Sequence, residues 1–358
     1  VLCALKGIID HFDVPECPNL DVLVGGTVPQ GSGLASSAAL VCASVLAFAH
    51  LFKLEASRTT LAELAAKSER MLGVLTGGMD QAISLKAEAG HASYIHFNPL
   101  SAENVKLPEG VSLVIAHSMV EAKKHTSASA CYNRRVLECF LAAKLLASAL
   151  KLDWRSIRKL RDVQRQGGFA LKDMPPLVML HLSADAYSID EVASKLGVLS
   201  DELVQNCLSL GGVTARLDIP ADKCLFLLKR ALHVYREGKR VEDFVAECQR
   251  DIAQQQLQVL GSLMNESHFS SRDLFETSCP ELESLTSLCR EAGALGCRLT
   301  GAGWGGCTVS LVRTEHLANF LKEVASRYRG YTTLPQGNKL ETYLSSCRPS
   351  AGASLIDI

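Results

Sequence analysis

This chain of 358 residues lacks a large excess of either positive or negative charge, and it lacks long apolar runs and targeting signals. Its 37 basic and 38 acidic residues nearly cancel, which argues against nucleic acid or an anionic membrane surface as a partner. No apolar stretch reaches the length of a membrane span, and the first residues lack the basic, apolar and cleavage-site order of a signal peptide. We therefore expect a cytoplasmic protein with no membrane and no nucleic-acid partner.

Metal-binding and disulfide patterns are missing too. The 13 cysteines are an odd number without a Cys-x-x-Cys pair, and the ten histidines show no His-x-x-x-His spacing. Several cysteines, such as Cys139, lie within apolar helical runs, where they behave as small buried hydrophobic residues. These features argue against a structural zinc site and favour the reduced thiols of a cytosolic protein.

Apolar residues make up 47% of the chain, enough for a substantial core in two domains or one large one. Internal repeats and low-complexity linkers are absent from the sequence. Segments with strand-like alternation, at 92–97 and 111–116, interrupt segments with helical spacing, at 133–150, 221–237 and 241–264. Ser188 to Glu191 are predicted to form a capping box before a further helix that stops at Gly197. The pattern indicates a mixed α and β protein, with the loop at 99–110 as the expected domain boundary.

The most informative segment is the glycine-rich sequence at residues 29–39, which we call the first glycine loop. A strand is predicted before it, at 20–24, and its last residues begin a long apolar helix that is predicted to run to about Leu51. N–H groups at a helix start lack intrahelical partners, and the helix dipole adds positive potential, so this junction can bind a phosphate chain. Ser36 or Ser37 could offer a hydroxyl to a phosphate or to its Mg²⁺. A serine-capped helix without a ligand is the alternative.

Other segments supply the remaining parts of a phosphoryl-transfer site. Glu69 lies on a helix predicted over 61–72, and a glycine turn at 77–78 delivers Asp80 into the next helix. The second glycine loop, residues 299–306, runs into a strand. Phosphoryl transfer needs a phosphate cradle, a metal ligand and a carboxylate near the attacking hydroxyl, and these segments provide such groups. Neither loop fits the common nucleotide fingerprints, because the first lacks Gly-Lys-Ser/Thr and the second precedes a strand.

In their order and in their residues these motifs resemble those of the GHMP kinases, the family of galactokinases and of homoserine, mevalonate and phosphomevalonate kinases. The first glycine loop is similar to the family's phosphate-binding motif, and the second to its C-terminal glycine motif. Residues 77–81 (Gly-Gly-Met-Asp-Gln), 132–135 (Tyr-Asn-Arg-Arg) and 301–306 (Gly-Ala-Gly-Trp-Gly-Gly) resemble the galactokinase branch, in the eukaryotic group that includes N-acetylgalactosamine kinases. The resemblance runs almost end to end.

The resemblance implies an α+β fold of two domains. Residues 1–108 would form an N-terminal domain with a mixed sheet of βαβ type, and residues 109–358 a ferredoxin-like α/β sandwich with helical insertions. It also implies an ATP-dependent sugar kinase that uses Mg²⁺ and transfers the γ-phosphoryl group to the anomeric hydroxyl of galactose, giving galactose 1-phosphate. The alternatives are an N-acetylgalactosamine kinase and a regulator that senses galactose and ATP without catalysis. We expect a monomer whose partner is the small sugar.

The resemblance assigns roles to individual residues as well. Asp80 corresponds to the catalytic carboxylate, which takes or steers the proton of the anomeric hydroxyl. Glu69 corresponds to a Mg²⁺ ligand, with Ser37 or Ser36 as its hydroxyl partner. The sugar is expected to contact Gly77, Gly78, Asp80 and Tyr132, and the glycines expected to close the site are Gly301, Gly303, Gly305 and Gly306. The residues expected to wrap the nucleotide phosphates are Pro29, Gly31, Ser32, Gly33, Leu34, Ala35, Ser36 and Ser37.

The residues taken alone leave simpler interpretations open. Asp80 could cap the following helix, Glu69 could be an exposed helical residue, and Tyr132 could belong to the core. Trp304 could pack the second glycine loop as readily as it could touch a ligand. Retention of Ser36-Ser37-Ala38-Ala39 together with Asp80 favours catalysis over sensing.

The sequence also departs from the family pattern. Ala35 stands where many members have Ser, so a hydroxyl contact is missing there, whereas Tyr132, where N-acetylgalactosamine kinases have Phe, favours galactose. The family's first motif, Gly-Arg-Val-Asn-Leu-Ile-Gly-Glu-His-Thr/Ile-Asp-Tyr, is not found, and the chain opens inside a helix-like pattern. We therefore expect a chain that has lost its beginning and the first strands of its N-terminal sheet, and the activity of such a truncated chain is an open question.

Overall fold

The structure, a computed structural model, describes residues 1–28, 33–73, 75–97, 99–121, 131–208, 222–250, 253–335, 337 and 339–356. The helices of these residues are α1 (Leu2–Phe12), α2 (Ser36–Leu51), α3 (Arg58–Arg70), α4 (Met79–Lys86), α5 (Asn133–Ala149), α6 (Leu160–Gly167), α7 (Met174–His181), α8 (Ile189–Leu196), α9 (Ser200–Leu208), α10 (Leu227–Cys248), α11 (Ala253–Ser270), α12 (Pro280–Glu291), α13 (Leu317–Arg327) and α14 (Arg329–Thr332). The strands are β1 (Ala92–His96), β2 (Ser101–Val105), β3 (Val111–His117), β4 (Gly296–Leu299), β5 (Cys307–Arg313) and β6 (Leu344–Cys347).

Helices α1 to α4 pack around one apolar core. Its buried members include Ile8, Val45 and Leu64, each on the inward face of its helix. Ser57 is the N-cap residue of α3, and its Oγ accepts a hydrogen bond from the N–H of Thr60 at 3.0 Å. The helices predicted at the start of the chain and after the first glycine loop are confirmed as α1 and α2.

The strand predicted over residues 20–24 is wrong. These residues form neither helix nor strand, and the side chain of Leu23 is 100% exposed. A strand needs neighbours to satisfy its backbone N–H and C=O groups, and no other strand lies in the described part of residues 1–88. An apolar sequence alone is therefore insufficient to make a strand here.

The hairpin of β1 and β2 connects the first helices to the rest of the chain. The two strands are antiparallel, with Ala92 opposite Val105 and His96 opposite Ser101. The strands predicted at 92–97 and 111–116 are confirmed as β1 and β3, but β2 lies inside the region predicted as a loop. The sequence of β2, Ser-Ala-Glu-Asn-Val, has little intrinsic strand preference, and pairing with β1 provides what propensity does not.

A four-stranded antiparallel sheet of order β4-β5-β3-β6 forms the centre of the later half of the chain. Because side chains alternate between the two faces of a strand, β3 and β5 contribute to two apolar layers. Val114 and Val312 pack with α12 and α13 on one face, and Leu113 and Leu311 pack with α11 on the other. This arrangement is an α/β sandwich, as expected, and the fold as a whole is α+β.

Helices α5 to α10 form a further helical core. Ser188 and Glu191 form the predicted capping box at the start of α8, and Gly197 ends that helix in a left-handed conformation. The break predicted between the helices at 221–237 and 241–264 is wrong, because α10 continues through Gly238. Gly238 lies against Leu171, so tertiary packing outweighs its low helix propensity. None of the helices in the described ranges has both the length and the apolar character to cross a membrane.

Candidate active site

The structure brings the two glycine loops into direct contact. A Cβ on Gly33 would lie 3.2 Å from both Gly306 Cα and Cys307 N, and a Cβ on Gly301 would lie 2.9 Å from Gly33 O. Gly33 and Gly301 both have a φ of 75°, which larger residues rarely adopt. Only residues without a side chain permit the two backbones to approach this closely. Of the predicted phosphate-binding residues, Pro29, Gly31 and Ser32 lie outside the described part of the chain.

The second glycine loop is held by backbone hydrogen bonds to neighbouring segments. Trp304 N donates to Thr277 O at 2.7 Å, and Gly306 N donates to Val120 O at 2.8 Å. Gly303 lies so close to Thr277 that an added Cβ would overlap its carbonyl oxygen, and a Cβ on Gly305 would lie 2.8 Å from Val120 O. The loop therefore has a fixed position against the segment around Thr277.

The helix α2 starts within the first glycine loop, with Ser36 and Ser37 as its first two residues. Its N-cap residue is Ala35, in a left-handed conformation with a φ of 56°, and no side chain caps the helix. The interpretation of this junction as a serine-capped helix is therefore wrong. N–H groups at the start of a 16-residue helix without a side-chain cap are suited to an anion.

Asp80 lies in the first turn of α4, and Gly78, two residues before it, is the N-cap residue of that helix, in a left-handed conformation. Gly78 is buried against Ala66 of α3, whereas Gly77 before it is exposed. Because the N-cap position belongs to Gly78, the alternative that Asp80 caps the helix is wrong. Its half-buried carboxylate is therefore not used as a helix cap, and it lies beside the positive end of the α4 dipole.

Gln81 connects the helices α3 and α4 through a side-chain hydrogen bond. Its Nε2 donates to Oε2 of Glu69. Glu69 is half-buried and is the next-to-last residue of α3. The Gln81 side chain is 0% exposed, and its Oε1 has no hydrogen-bond partner among the described residues. The carboxylate of Glu69 is thus oriented by an amide that the protein core keeps in place.

Tyr132 approaches the same carboxylates from the start of α5. Burial raises the pKa of its hydroxyl, the charges of Asp80 and Glu69 raise it further, and the charge of Arg70 lowers it. Next to Tyr132, Asn133 Nδ2 donates to Gly73 O at 3.0 Å, and its Oδ1 accepts a bond from Leu75 N at 3.4 Å. Gly73 and Leu75, which lie just before the glycine turn, are therefore both hydrogen-bonded to the residue that follows Tyr132.

Cys42 shows how α2 relates to these groups. Burial and the charges of Glu69 and Asp80 raise the pKa of its thiol to about 12, and Sγ donates to Gln81 O at 3.7 Å. Cys42 follows Ser36 by six residues, a rise of about 9 Å along α2. The two carboxylates therefore lie near α2, less than two turns after its start. The thiol itself stays protonated and unreactive at neutral pH.

Oxygen atoms of the kind that bind divalent cations are present among these residues. The described residues include no group of three or more His, Cys, Asp or Glu that could hold a metal ion by themselves. Mg²⁺ needs less, because one or two protein carboxylates combine with the phosphates of the substrate. The carboxylate of Glu69, oriented by Gln81, and the hydroxyl of Ser37 are groups of the required kind.

Sequence reasoning missed the contributions of Gln81, Asn133 and Arg70. Gln81 and Asn133 directly follow Asp80 and Tyr132 within the motifs, and this adjacency was the available signal. Arg70 Nε donates to Thr76 O at 3.0 Å, which supports the backbone just before the glycine turn. Thr277 lies outside every motif and carried no signal in the sequence.

Known proteins resemble this chain in sequence and in structure. Residues 1–88 match the family described as GHMP kinases N terminal domain, and residues 248–330 match GHMP kinases C terminal. A galactokinase of Dictyostelium discoideum is 40% identical over 379 residues, which cover 99% of this chain and 74% of that protein. A galactokinase of Saccharomyces cerevisiae is 35% identical over 398 residues, covering 98% of this chain and 73% of that protein. The crystal structure of Lactococcus lactis galactokinase complexed with galactose has the same fold, with a TM-score of 0.64 at 24% identity, covering 98% of this chain and 75% of that one.

The chain therefore belongs to the GHMP kinase family. Both family matches fall on segments that contribute to the site, since the first contains Glu69 and Asp80 and the second contains the second glycine loop. Within the family the chain belongs to the galactokinase branch, as its identity to the Dictyostelium and yeast proteins shows.

Proposed function

We propose that this chain transfers the γ-phosphoryl group of ATP to the anomeric hydroxyl of galactose, giving galactose 1-phosphate. The observations that support the proposal are the influence of Asp80 and Glu69 on both Tyr132 and Cys42 of α2, and the packing of the second glycine loop on the first. Residues 1–108 would then form the domain that supplies both carboxylates, and residues 109–358 the domain that supplies Tyr132 and the second loop.

Asp80 would act on the sugar. Its carboxylate accepts or orients the proton of the anomeric hydroxyl while that oxygen attacks the γ-phosphorus and the bond to the β-phosphate oxygen breaks. The Tyr132 hydroxyl, kept neutral by burial and by the nearby carboxylates, can donate a hydrogen bond to a sugar oxygen. A tyrosine at this position supports galactose as the substrate, with the glycine turn 77–78 completing the sugar side.

The phosphates would lie at the N-terminus of α2. The N–H groups there, together with the backbone of Gly33 and Leu34, provide hydrogen-bond donors without the need for a basic side chain. Pro29, Gly31 and Ser32 complete the cradle in this proposal. The second glycine loop covers it, because its backbone lies against Gly33.

Glu69 and Ser37 would hold the metal. Their oxygens are the kind of ligand that Mg²⁺ accepts, and Gln81 fixes the direction of the Glu69 carboxylate. Bound there, Mg²⁺ would neutralise charge on the phosphates and favour their in-line geometry. The protein's own part is orientation and the exclusion of water.

ADP release from the purified chain on addition of galactose tests the proposal, with N-acetylgalactosamine as the competing substrate. Asp80→Asn should lower kcat by about 100-fold or more, since general acid–base groups contribute about 10² to 10⁴. The matched control is Asp190→Asn, because Asp190 occupies the same place in the first turn of α8 and should leave turnover unchanged. Turnover that survives Asp80→Asn, or a clear preference for N-acetylgalactosamine, would overturn the assignment.

A further inference from the structure

A buried ion cluster lies behind the second glycine loop, and Glu276 is its outermost acid. The Glu276 carboxylate contacts Arg230 Nη2 at 2.8 Å, Lys229 Nζ at 3.0 Å and Arg135 Nη2 at 3.4 Å. Arg230 is 1% exposed and also binds the fully buried Glu138 at 2.8 Å. Three cations from α5 and α10 therefore converge on one side chain.

The backbone of Glu276 is unusual as well. It follows a π-helix at Ser271–Phe275 and has a left-handed conformation, with a φ of 55° and a ψ of 49°. A residue with a side chain adopts this conformation at a cost in free energy, and the surrounding contacts must hold it there. The next residue, Thr277, donates its N–H to Ser271 O at 3.0 Å, which closes the turn.

We propose that Glu276 is the positioning residue of the second glycine loop: its three cations hold the left-handed turn that sets Thr277 O against Trp304 N and Gly303. The same turn thereby keeps the second loop packed on Gly33 of the first. The expected effect of Glu276 on ATP binding rests on the proposed function, whereas its expected effect on the position of the second glycine loop does not.

The charge of Glu276 is what engages the cations. Burial acts to raise the pKa of its carboxyl, but hydrogen bonds from Arg230 and Lys229 outweigh burial, and the pKa lies below its usual value. The side chain is therefore ionised at neutral pH. An uncharged residue of the same size would keep the packing and lose the attraction.

The position of the loop can be read from Trp304, since the chain has two tryptophans. In a Trp154→Phe background Trp304 is the remaining one, and acrylamide quenching of its fluorescence reports its exposure. Glu276→Gln in this background should raise the quenching constant by about twofold, because a loop freed from its anchor opens locally. Lys229→Met removes one cation from a partly exposed position and should cause a smaller change of the same sign.

The matched control is Glu138→Gln, which weakens the same ion cluster at a residue that is not joined to Thr277. It should lower the unfolding temperature without changing Trp304 quenching. In the kinase assay, Glu276→Gln should raise the KM for ATP by about tenfold and leave the KM for galactose within about twofold, a split that a merely structural role would not produce.

Unchanged quenching in both Glu276→Gln and Lys229→Met would overturn the proposal, and so would an equal change in Glu138→Gln. If Glu276→Gln does not fold, Lys229→Met decides the outcome by the same two readouts. If Glu276→Gln increases the quenching but the parent protein has no kinase activity, the positioning role is supported and the proposed function is contradicted.

Discussion

Replacing Gln81 with Met is expected to raise the Mg²⁺ concentration that the reaction needs. Gln81 is fully buried between α3 and α4, and its Nε2 donates to the carboxylate of Glu69, the proposed metal ligand. Met has nearly the same volume and flexibility, so the core stays filled while the amide donor is lost. Glu69 would then be free to turn away from the orientation that a metal requires.

The size of the effect follows from the type of bond. A hydrogen bond to a charged group contributes about 1.5–3 kcal/mol, which corresponds to about 10- to 100-fold in affinity. Removal of a group that orients a metal ligand typically lowers metal affinity or activity by about 10- to 100-fold. We therefore expect half-maximal activity at about tenfold or more higher free Mg²⁺.

The assay is a titration of kinase activity against free Mg²⁺ at saturating ATP and galactose. Gln256→Met is the matched control, because Gln256 is also a buried glutamine, whose Nε2 donates to Glu247 O at 2.6 Å far from the site. Both variants should lose stability, but only Gln81→Met should shift the Mg²⁺ dependence. Identical Mg²⁺ curves for Gln81→Met and the parent protein would refute the reasoning.

Two further predictions concern the second glycine loop and the dependence of stability on pH. Gly303→Ala should destabilise the protein by about 2 kcal/mol or more, because its φ of 86° is strained for alanine and the new Cβ would overlap Thr277 O. Gly293→Ala, with a φ of 102° but open space around it, should cost only about 1 kcal/mol, and equal losses in urea unfolding would count against the close contact. Burial lowers the pKa of His233 to about 4, with Glu237 opposing the shift and Arg240 and Arg298 reinforcing it, so between that value and about 6.5 the unfolded chain binds a proton that the folded chain does not. Folding stability should therefore fall by about 3 kcal/mol as the pH drops through this range, and His233→Gln should flatten the curve; an unchanged slope would contradict it.

Periodicity predicted the helices well where the local pattern and the tertiary contacts agree. The helix α5 matches the apolar run at 133–150, and the capping box at Ser188 marks the start of α8. The errors arose where distant contacts decide the structure. Residues 20–24 lack the partner that a strand needs, and Gly238 continues a helix because it packs on Leu171.

The candidate site was predicted in its residue types but not in its connections. Asp80 was identified from the glycine turn before it together with the family resemblance, whereas the roles of Glu69 and Tyr132 came from the resemblance. The hydrogen bond from Gln81 to Glu69 depends on how α3 and α4 cross, and the contact of Gly33 with Gly301 joins segments 268 residues apart. Such contacts leave no local pattern, because they follow from the packing of whole helices and loops.

A crystal structure of the Asp80→Asn variant with ATP, Mg²⁺ and galactose would test the central claim most directly. The anomeric oxygen should lie within hydrogen-bond distance of residue 80, at about 2.6–3.2 Å, with the phosphates at Ser36 and Ser37. The second glycine loop should cover them. Galactose bound away from residue 80, or phosphates away from the start of α2, would contradict the claim.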